Sequence, residues 1–220
     1  MQKVLFVIFV SLFSIVAKAS IIYESAAGGF DSTFCCGSIL NTNQYIGATF
    51  TINEKTKIDA VGGHFMASKS FGGNLFGAIV RLNNSGYPSN SAFKLDNILA
   101  YTIFTPETGK DYLAPIAVNL DSGSYGIVFG AGLFGTSGFQ ALTLLQSQPS
   151  FSNGRSYGTS PGRNWHIEDS MPWARYRIIV SGERIVNAIE PSSLFLLIFG
   201  VLCIFLKKIS LSFHRKNTVG

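Results

Sequence analysis

Charge is scarce in this 220-residue chain, where Asp, Glu, Lys and Arg together make up 13% of the residues. The formal net charge of +5 invites a polyanion-binding reading, but the surplus sits at the ends. Lys3 and Lys18 lie before residue 20, and Lys207, Lys208, Arg215 and Lys216 lie in the last stretch, which leaves 11 basic residues against the 12 acidic ones. A middle this close to neutral has no basic stripe to track phosphates, so nucleic acid is not expected as a partner. Acids this sparse single out no carboxylate pair for glycoside hydrolysis. Leu-rich amphipathic runs are missing between residues 20 and 186, which argues against a helical fold. No internal repeat is visible, and no Leu-Pro-x-Thr-Gly sequence occurs.

Cysteine is nearly absent as well, with three in all. Cys203 falls in an apolar run, while Cys35 and Cys36 are neighbours in an exported segment where oxidation is allowed. Neighbouring cysteines close only a strained ring; the alternatives are a disulfide between molecules or two free thiols. A bond between copies avoids the strain, so Cys35 and Cys36 are read as a candidate intermolecular cross-link. A metal site at the pair would need His64 or His166 as further ligands, and neither a metal nor a cofactor is expected.

The two ends carry the clearest patterns. Lys3 precedes a nearly unbroken apolar stretch over 4–16, and Ala17-Lys18-Ala19 puts small residues where signal peptidase reads them. Cleavage is expected before Ser20, and no cysteine follows that would make a lipoprotein. At the other end, Glu190-Pro191-Ser192-Ser193 leads into an apolar run from Leu194 through Phe199 to Leu206, followed by Lys207 and Lys208. A helix over 194–206 would be roughly 20 Å long against a hydrocarbon core of about 30 Å, a marginal span. The basic residues after it orient the tail with Gly220 in the cytoplasm and residues 20–186 outside. A glycolipid-anchor signal is disfavoured because its apolar tail normally ends the chain.

Between the ends, Gly, Ser, Asn, Phe and Tyr suit short strands and tight turns. Residues 45–52 alternate, with Ile46, Ala48, Phe50 and Ile52 on one face. Further strands are expected over 58–65, 76–82, 98–104, 116–120, 123–129, 139–145 and 174–181. The 76–82 strand is apolar on both faces apart from Arg81, as a central strand would be. Gly62 and Gly63 predict a bulge or a close backbone approach. Asn83 to Pro88 reads as a turn, Asp121-Ser122-Gly123 as a short hairpin, and 150–172 as a loop. About eight strands without intervening helices predict an all-β, antiparallel β-sandwich of jelly-roll type, flanked by an N-terminal signal helix and a C-terminal transmembrane helix. The domains are then 1–19, 20–186, and 187–220 for linker, sorting motif, helix and basic tail.

Sequence motifs with catalytic meaning are few. Gly130-Ala131-Gly132-Leu133-Phe134-Gly135 fits the dinucleotide pattern, yet no helix signal follows, so it reads as a glycine-rich turn. Ser137 falls one residue short of a hydrolase elbow. His64, beside glycines in a strand, reads as a packed or hydrogen-bonded histidine. His166, Glu168 and Asp169 form the one loop cluster able to act as an acid–base pair or weak metal site. Tyr157, Trp165 and Trp173, near Arg163 and Asn164, are the candidate glycan-binding aromatics, set against the alternative that the tryptophans close one end of the core.

Glu190 and Pro191 before a short apolar helix and Lys207-Lys208 resemble the PEP-CTERM sorting signal of Gram-negative bacteria. Ile189 stands where that family usually has its first proline, and the basic tail is longer than usual. The segments Tyr45-Ile46-Gly47-Ala48-Thr49-Phe50, Gly62-Gly63-His64-Phe65 and Gly123-Ser124-Tyr125-Gly126 are similar to the outer domains of many such proteins. The resemblance implies processing by an exosortase after signal peptidase, an inner-membrane-anchored precursor, and a mature form at the cell surface or outside. It also implies a non-catalytic role linked to exopolysaccharide or biofilm. The alternatives are a carbohydrate-binding lectin or adhesin and, second, a secreted hydrolase.

Overall fold

The computed structural model describes residues 20–26, 37–66, 68–145, 154–167, 175–185 and Gly200. The expected signal segment, the sorting motif and basic tail, Cys35, Cys36 and Trp173 lie outside these residues, as does the expected 194–206 helix except for Gly200. Among the described residues no helix is long and apolar enough to cross a membrane. The chain divides into two units, Met1–Ile185 and Val186–Gly220, and the fold that follows belongs to the first.

Its described residues form thirteen strands: β1 (Ser20–Glu24), β2 (Gly37–Leu40), β3 (Tyr45–Ile52), β4 (Thr56–Phe65), β5 (Leu75–Arg81), β6 (Ile98–Phe104), β7 (Lys110–Leu120), β8 (Gly123–Gly130), β9 (Gln140–Leu145), β10 (Ser156–Ser160), β11 (Arg163–Ile167), β12 (Arg175–Tyr176) and β13 (Ile178–Arg184). They form two antiparallel sheets. One runs β1-β13-β4-β9-β12, with β7 on the other side of β4 and β2 beside β9; the second runs β11-β10-β3-β8-β5-β6. The all-β sandwich expected from the alternating strands is what the chain forms.

Between the sheets lies the main core. Ile46, Ala48, Phe50 and Ile52 of β3 all point into it, as their alternation predicts, and meet Ile58, Val61 and Phe65 of β4 and Ile178 and Val180 of β13. Aromatic edges lock the two sheets together: Phe65 is edge-on to Phe129, with ring centroids 6.2 Å apart and planes at 88°.

The second sheet is buried on its outer face too. Tyr45, Phe76, Ala78, Val80, Val128, Tyr157 and Trp165 form a separate apolar layer there. Hence β5 is apolar on both faces: Leu75 and Ile79 serve the main core, and Phe76, Ala78 and Val80 the outer layer. Burying a ring of this size against such a layer stabilises by about 1.5–3 kcal/mol.

Several sequence expectations need correction. Asp121-Ser122-Gly123 is not a hairpin: β7 pairs with β4 and β8 with β3 and β5, so these residues carry the chain from one sheet to the other. Tyr125 Oη donates to Asp121 O at 2.9 Å and pins that corner. The 150–172 region is not all loop, because β10 and β11 form a hairpin closed by Pro161-Gly162, with Gly162 at φ +77°. Pro supplies the first turn position and Gly the positive φ of the second. Strand β7 starts at Lys110, not near 116, because Pro115 is tolerated on a strand paired only with β4, where a register shift also lies. Of the two readings of Gly62, the close backbone approach holds, against Tyr112 O, while the irregularity of β4 lies between Ile58 and Ala60.

Glycine is required where rings lie on the sheet. A Cβ at Gly47 would collide with Ile127 O and the Tyr157 ring, and one at Gly126 would come 2.5 Å from Tyr157 Oη. Neither neighbour can withdraw, since Ile127 is in the adjacent strand and Tyr157 is fully enclosed. Gly47→Ala is expected to destabilise the fold by roughly 1–3 kcal/mol through overpacking. Urea denaturation would register this as a lower midpoint with unchanged slope, and an unchanged midpoint would refute the account.

Candidate functional site

Two places gather polar side chains. The first is on the outer face of the sheet containing β4 and β13. Arg177, between β12 and β13, donates from Nε to both carboxylate oxygens of Asp111 at 2.9 Å and from Nη2 to Asp111 Oδ2 at 2.7 Å. Its Nη1 turns the other way, to Glu24 and to Ala26 O. His64 Nδ1 lies 2.9 Å from Asp111 Oδ1. Residues from β1, β4, β7 and the β12–β13 break are thereby tied into one row, and His64 is packed and hydrogen-bonded, as expected.

Burial sets the electrostatics of the row. The Arg177 side chain is 12% exposed and that of Asp111 39%. Desolvation pushes the Asp111 carboxyl up, but hydrogen bonds from Arg177 and His64, with the Arg177 charge, outweigh it and leave the group below its ordinary value. Desolvation works against the Arg177 charge, and the bonds to Asp111 and Glu24 again prevail. A guanidinium held between two carboxylates is already neutralised, so the row is suited to clasping strands rather than to binding an anion. Among the described residues no three His, Cys, Asp or Glu side chains are grouped to hold a metal.

The second place is a groove of about 270 Å³ on the outer face of the other sheet. Its floor is Thr49 and Thr51 of β3 and Ser124 of β8; its walls are Leu82 and Tyr87 of the turn after β5, Ile167 of β11, and Arg155 just before β10. The turn is built as the sequence suggests: Asn83 Oδ1 accepts from the backbone of Ser85 and Tyr87 at 2.9 Å, and Gly86 takes φ +80°. Thr51 Oγ1 and Ser124 Oγ share a hydrogen bond of 2.9 Å, and Thr49 Oγ1 accepts from Arg155 N at 2.8 Å. Each hydroxyl keeps further donor or acceptor capacity. The Arg155 side chain is exposed and has no ion-pair partner among the described residues.

Of the candidate glycan aromatics, Tyr157 borders the groove from beneath and Trp165 is not among its lining residues. Tyr157 is 1% and Trp165 6% exposed. Their rings meet edge-to-face, with centroids 5.4 Å apart and planes at 87°. Trp165 Nε1 donates to Ser91 O at 3.1 Å, and Tyr157 Oη to Ala48 O and Ile127 O, each at 3.2 Å. Burial, with a smaller contribution from Tyr23, holds the Tyr157 phenol well above its ordinary range, so it remains a donor. These two rings close an apolar layer and offer no exposed stacking surface. The hairpin that carries them continues the sheet beyond β3 and turns these rings into the outer apolar layer.

His166 is bonded through Nδ1 to Asn164 O at 3.1 Å, while Glu168 and Asp169 lie outside the described residues. The Gly130–Gly135 stretch leads by a turn to β9, not to a helix. Sequence reasoning missed the Arg177 row and the groove, whose residues are far apart in the chain. A signal existed for each: Arg177 among inward-pointing neighbours, and Thr49 and Thr51 on the polar side of an alternating strand. No protein-family model matches the chain, and no curated protein matches it.

Because the folded Asp111 value is depressed, its contribution to stability is full above the unfolded value of about 3.9 and is lost as pH falls through the folded one. Asp111→Asn is expected to cost about 1 kcal/mol at neutral pH, discounted for solvent screening. The difference from wild type in urea midpoint should be full above the unfolded value and shrink as pH falls through the lower folded one. A difference that stays the same at a pH acid enough to protonate the carboxyl in both states would contradict the ionic origin.

Proposed function

We propose that this chain is an exported, exosortase-sorted surface or extracellular-matrix protein with a non-catalytic β-sandwich domain, linked to exopolysaccharide or biofilm. The observation that carries the reading is the arrangement of the two ends: Ala17 and Ala19 before Ser20, and Glu190-Pro191 before Leu194–Leu206 and Lys207-Lys208. Signal peptidase and an exosortase are the processing partners, and the inner membrane holds the precursor through the 194–206 helix. The fold is compatible with both cuts. Strand β1 starts at Ser20 and the last strand ends at Arg184, so removal of both ends leaves all thirteen strands intact.

The finer architecture is a jelly roll. Strands β1, β13, β4 and β7 lie side by side opposite β3, β8, β5 and β6. Of the five steps from β3 to β8, four change sheets and only β5–β6 stays within one, which supports that reading. Intact-mass analysis of the protein from its native envelope should give a chain that begins at Ser20 and lacks residues from Leu194 onward. A species retaining Gly220 in a host with an active exosortase would remove the sorting proposal and leave a plain single-pass anchor.

A second reading, a carbohydrate-binding module, is favoured by the hydroxyl-floored groove. Thr49, Thr51 and Ser124 can donate and accept, as a polyol requires, and Ile167 and Tyr87 offer apolar walls to a sugar ring. Arg155 is the only charged lining residue among those described, which selects for sugars bearing a carboxylate. Arg155→Ala is expected to weaken saturable binding to a uronate-containing polysaccharide by about tenfold or more. Titration calorimetry measures it; absence of binding to such a polysaccharide, or equal binding by the variant, would dismiss the groove as a sugar site.

A further inference from the structure

A second hollow lies beside the hydroxyl-floored groove. It has a volume of about 330 Å³ and opens between the start of β1 and the turn after β3, with Arg184 at the end of β13 along its rim. The two hollows adjoin at Thr51, which lines both. Sites for small ligands usually enclose about 300–1,000 Å³. The first groove, at about 270 Å³, falls just short of that range, and the two joined fall well inside it.

The passage between them exists because a strand runs out. Strand β10 pairs with β3 from Thr159↔Tyr45 to Ser156↔Ala48, and Thr49 N then donates to Arg155 O at 2.8 Å. Thr51 is two residues further on, so its N–H and C=O point to the same side as those of Thr49. That side is past the start of β10, and no described strand pairs with Thr51 there. On its other side Thr51 is opposite Ser124 of β8. Across the hollow stands β1, the end strand of the opposite sheet, paired only with β13. Thr51 therefore carries a backbone donor and acceptor, besides its hydroxyl, at the point where the hollows meet.

The two hollows differ in charge. In the first, Arg155 is an exposed cation with no ion-pair partner among the described residues. In the second, Arg184 Nη1 lies 2.9 Å from Glu54 Oε1, and the two side chains are 69% and 49% exposed. A pair this open to water contributes little to stability. It does set donors and acceptors side by side with no net charge, which is what neighbouring hydroxyls of a neutral sugar require. Asn53, exposed in the turn, adds an amide, and Ile21, 49% exposed, adds an apolar wall. An acid is matched in one hollow and a neutral polyol in the next. A single sugar meets one of these sets, and a chain of linked sugars meets both.

Resting on the carbohydrate-binding reading of the groove, we propose that the two hollows are successive subsites for one acidic polysaccharide chain. A uronate sits beside Arg155, the linkage crosses Thr51, and a neutral sugar lies between Ile21, Asn53 and the Arg184–Glu54 pair. Arg155 then selects the acid, and the second hollow selects the sugar that follows it. Linkage makes the second contact intramolecular once the first is made, so a chain binds more tightly than its acidic unit alone.

The test compares two probes on the full chain in detergent: methyl glucuronide, and a tetrasaccharide that alternates glucuronate with N-acetylglucosamine. Chemical-shift titration measures the first and calorimetry the second. Wild type is expected to bind the tetrasaccharide at least about tenfold more tightly than the monosaccharide. Arg155→Ala should weaken both ligands, whereas Arg184→Ala should lower the ratio of the two affinities by about tenfold. General damage to the fold would not move that ratio. If Arg184→Ala loses its β-sheet circular dichroism, Asn53→Ala replaces it, with an expected fall in the ratio of about threefold or more. A ratio unchanged from wild type in the folded variant, with binding still dependent on Arg155, would overturn the second subsite and leave the first groove standing. Failure of wild type to bind either probe would remove the groove reading and the extended site together.

Discussion

Everything in this domain depends on the burial of one sheet from both sides. Strands β3, β8 and β5 sit between the main core and the outer aromatic layer, so each of their residues must suit an apolar surface or be small enough to let one approach. Glycine meets the second requirement. Gly47 and Gly126 let the Tyr157 ring lie against the strands, and Gly130 does the same for Tyr45. The phenol of Tyr157 then reaches two backbone oxygens across the β3–β8 pair, and its neighbour Trp165 ties the β10–β11 hairpin to the long turn after β5. The groove exists because this layer stops short of Thr49, Thr51 and Ser124, where the polar faces of β3 and β8 meet solvent.

The opposite sheet solves a different problem. Its outer face is held by charge: Arg177 interrupts the last strand, splitting β12 from β13, and uses the break to reach carboxylates on two other strands. Fixing four strand ends with one guanidinium gives hydrogen bonds to both flanking carboxylates and leaves no unpaired cation for an anionic ligand to recognise. The same chain therefore builds one face that is sealed by ion pairs and another that is partly open and lined with hydroxyls. The contrast leaves open hydroxyls on the six-stranded side.

The frame was legible where hydrophobic alternation was strong. Residues 45–52, 98–104 and the both-sided apolar run at 76–82 could be placed from period and composition alone, because a half-buried or fully buried strand imposes those patterns directly. The short strands escaped: 20–24 and 37–40 have too few residues to show a period, and 156–160 was hidden by its glycine and serine, which look like loop until Tyr157 is seen lying on Gly47. Pro161-Gly162 did announce a turn, but the partner strands around it were too short to be recognised. Pairing across 121–123 failed for another reason, since sequence proximity cannot tell a hairpin from a passage between sheets. The Arg177 row and the hydroxyl groove assemble residues from four or more distant segments, and no local spacing encodes them. For Trp165 the sequence offered two readings, a sugar-stacking ring beside Arg163 and Asn164 or a ring that closes the core, and its burial in the outer apolar layer decides for packing.

The placement of the first and last strands has a mechanical consequence. Ser20 pairs with Gly182, so both ends of the described fold leave from adjacent strands on the same sheet. Any pull on the chain beyond Ile185 enters through β13, which is flanked by β1 on one side and by β4 on the other. Antiparallel hydrogen bonds run perpendicular to the strands, so tension along β13 strains both ladders at once in shear instead of opening them one bond at a time. A domain tethered at that end resists extraction by its whole central seam, and its yield strength is set by seven residues of backbone pairing rather than by the aromatic layers that give it shape.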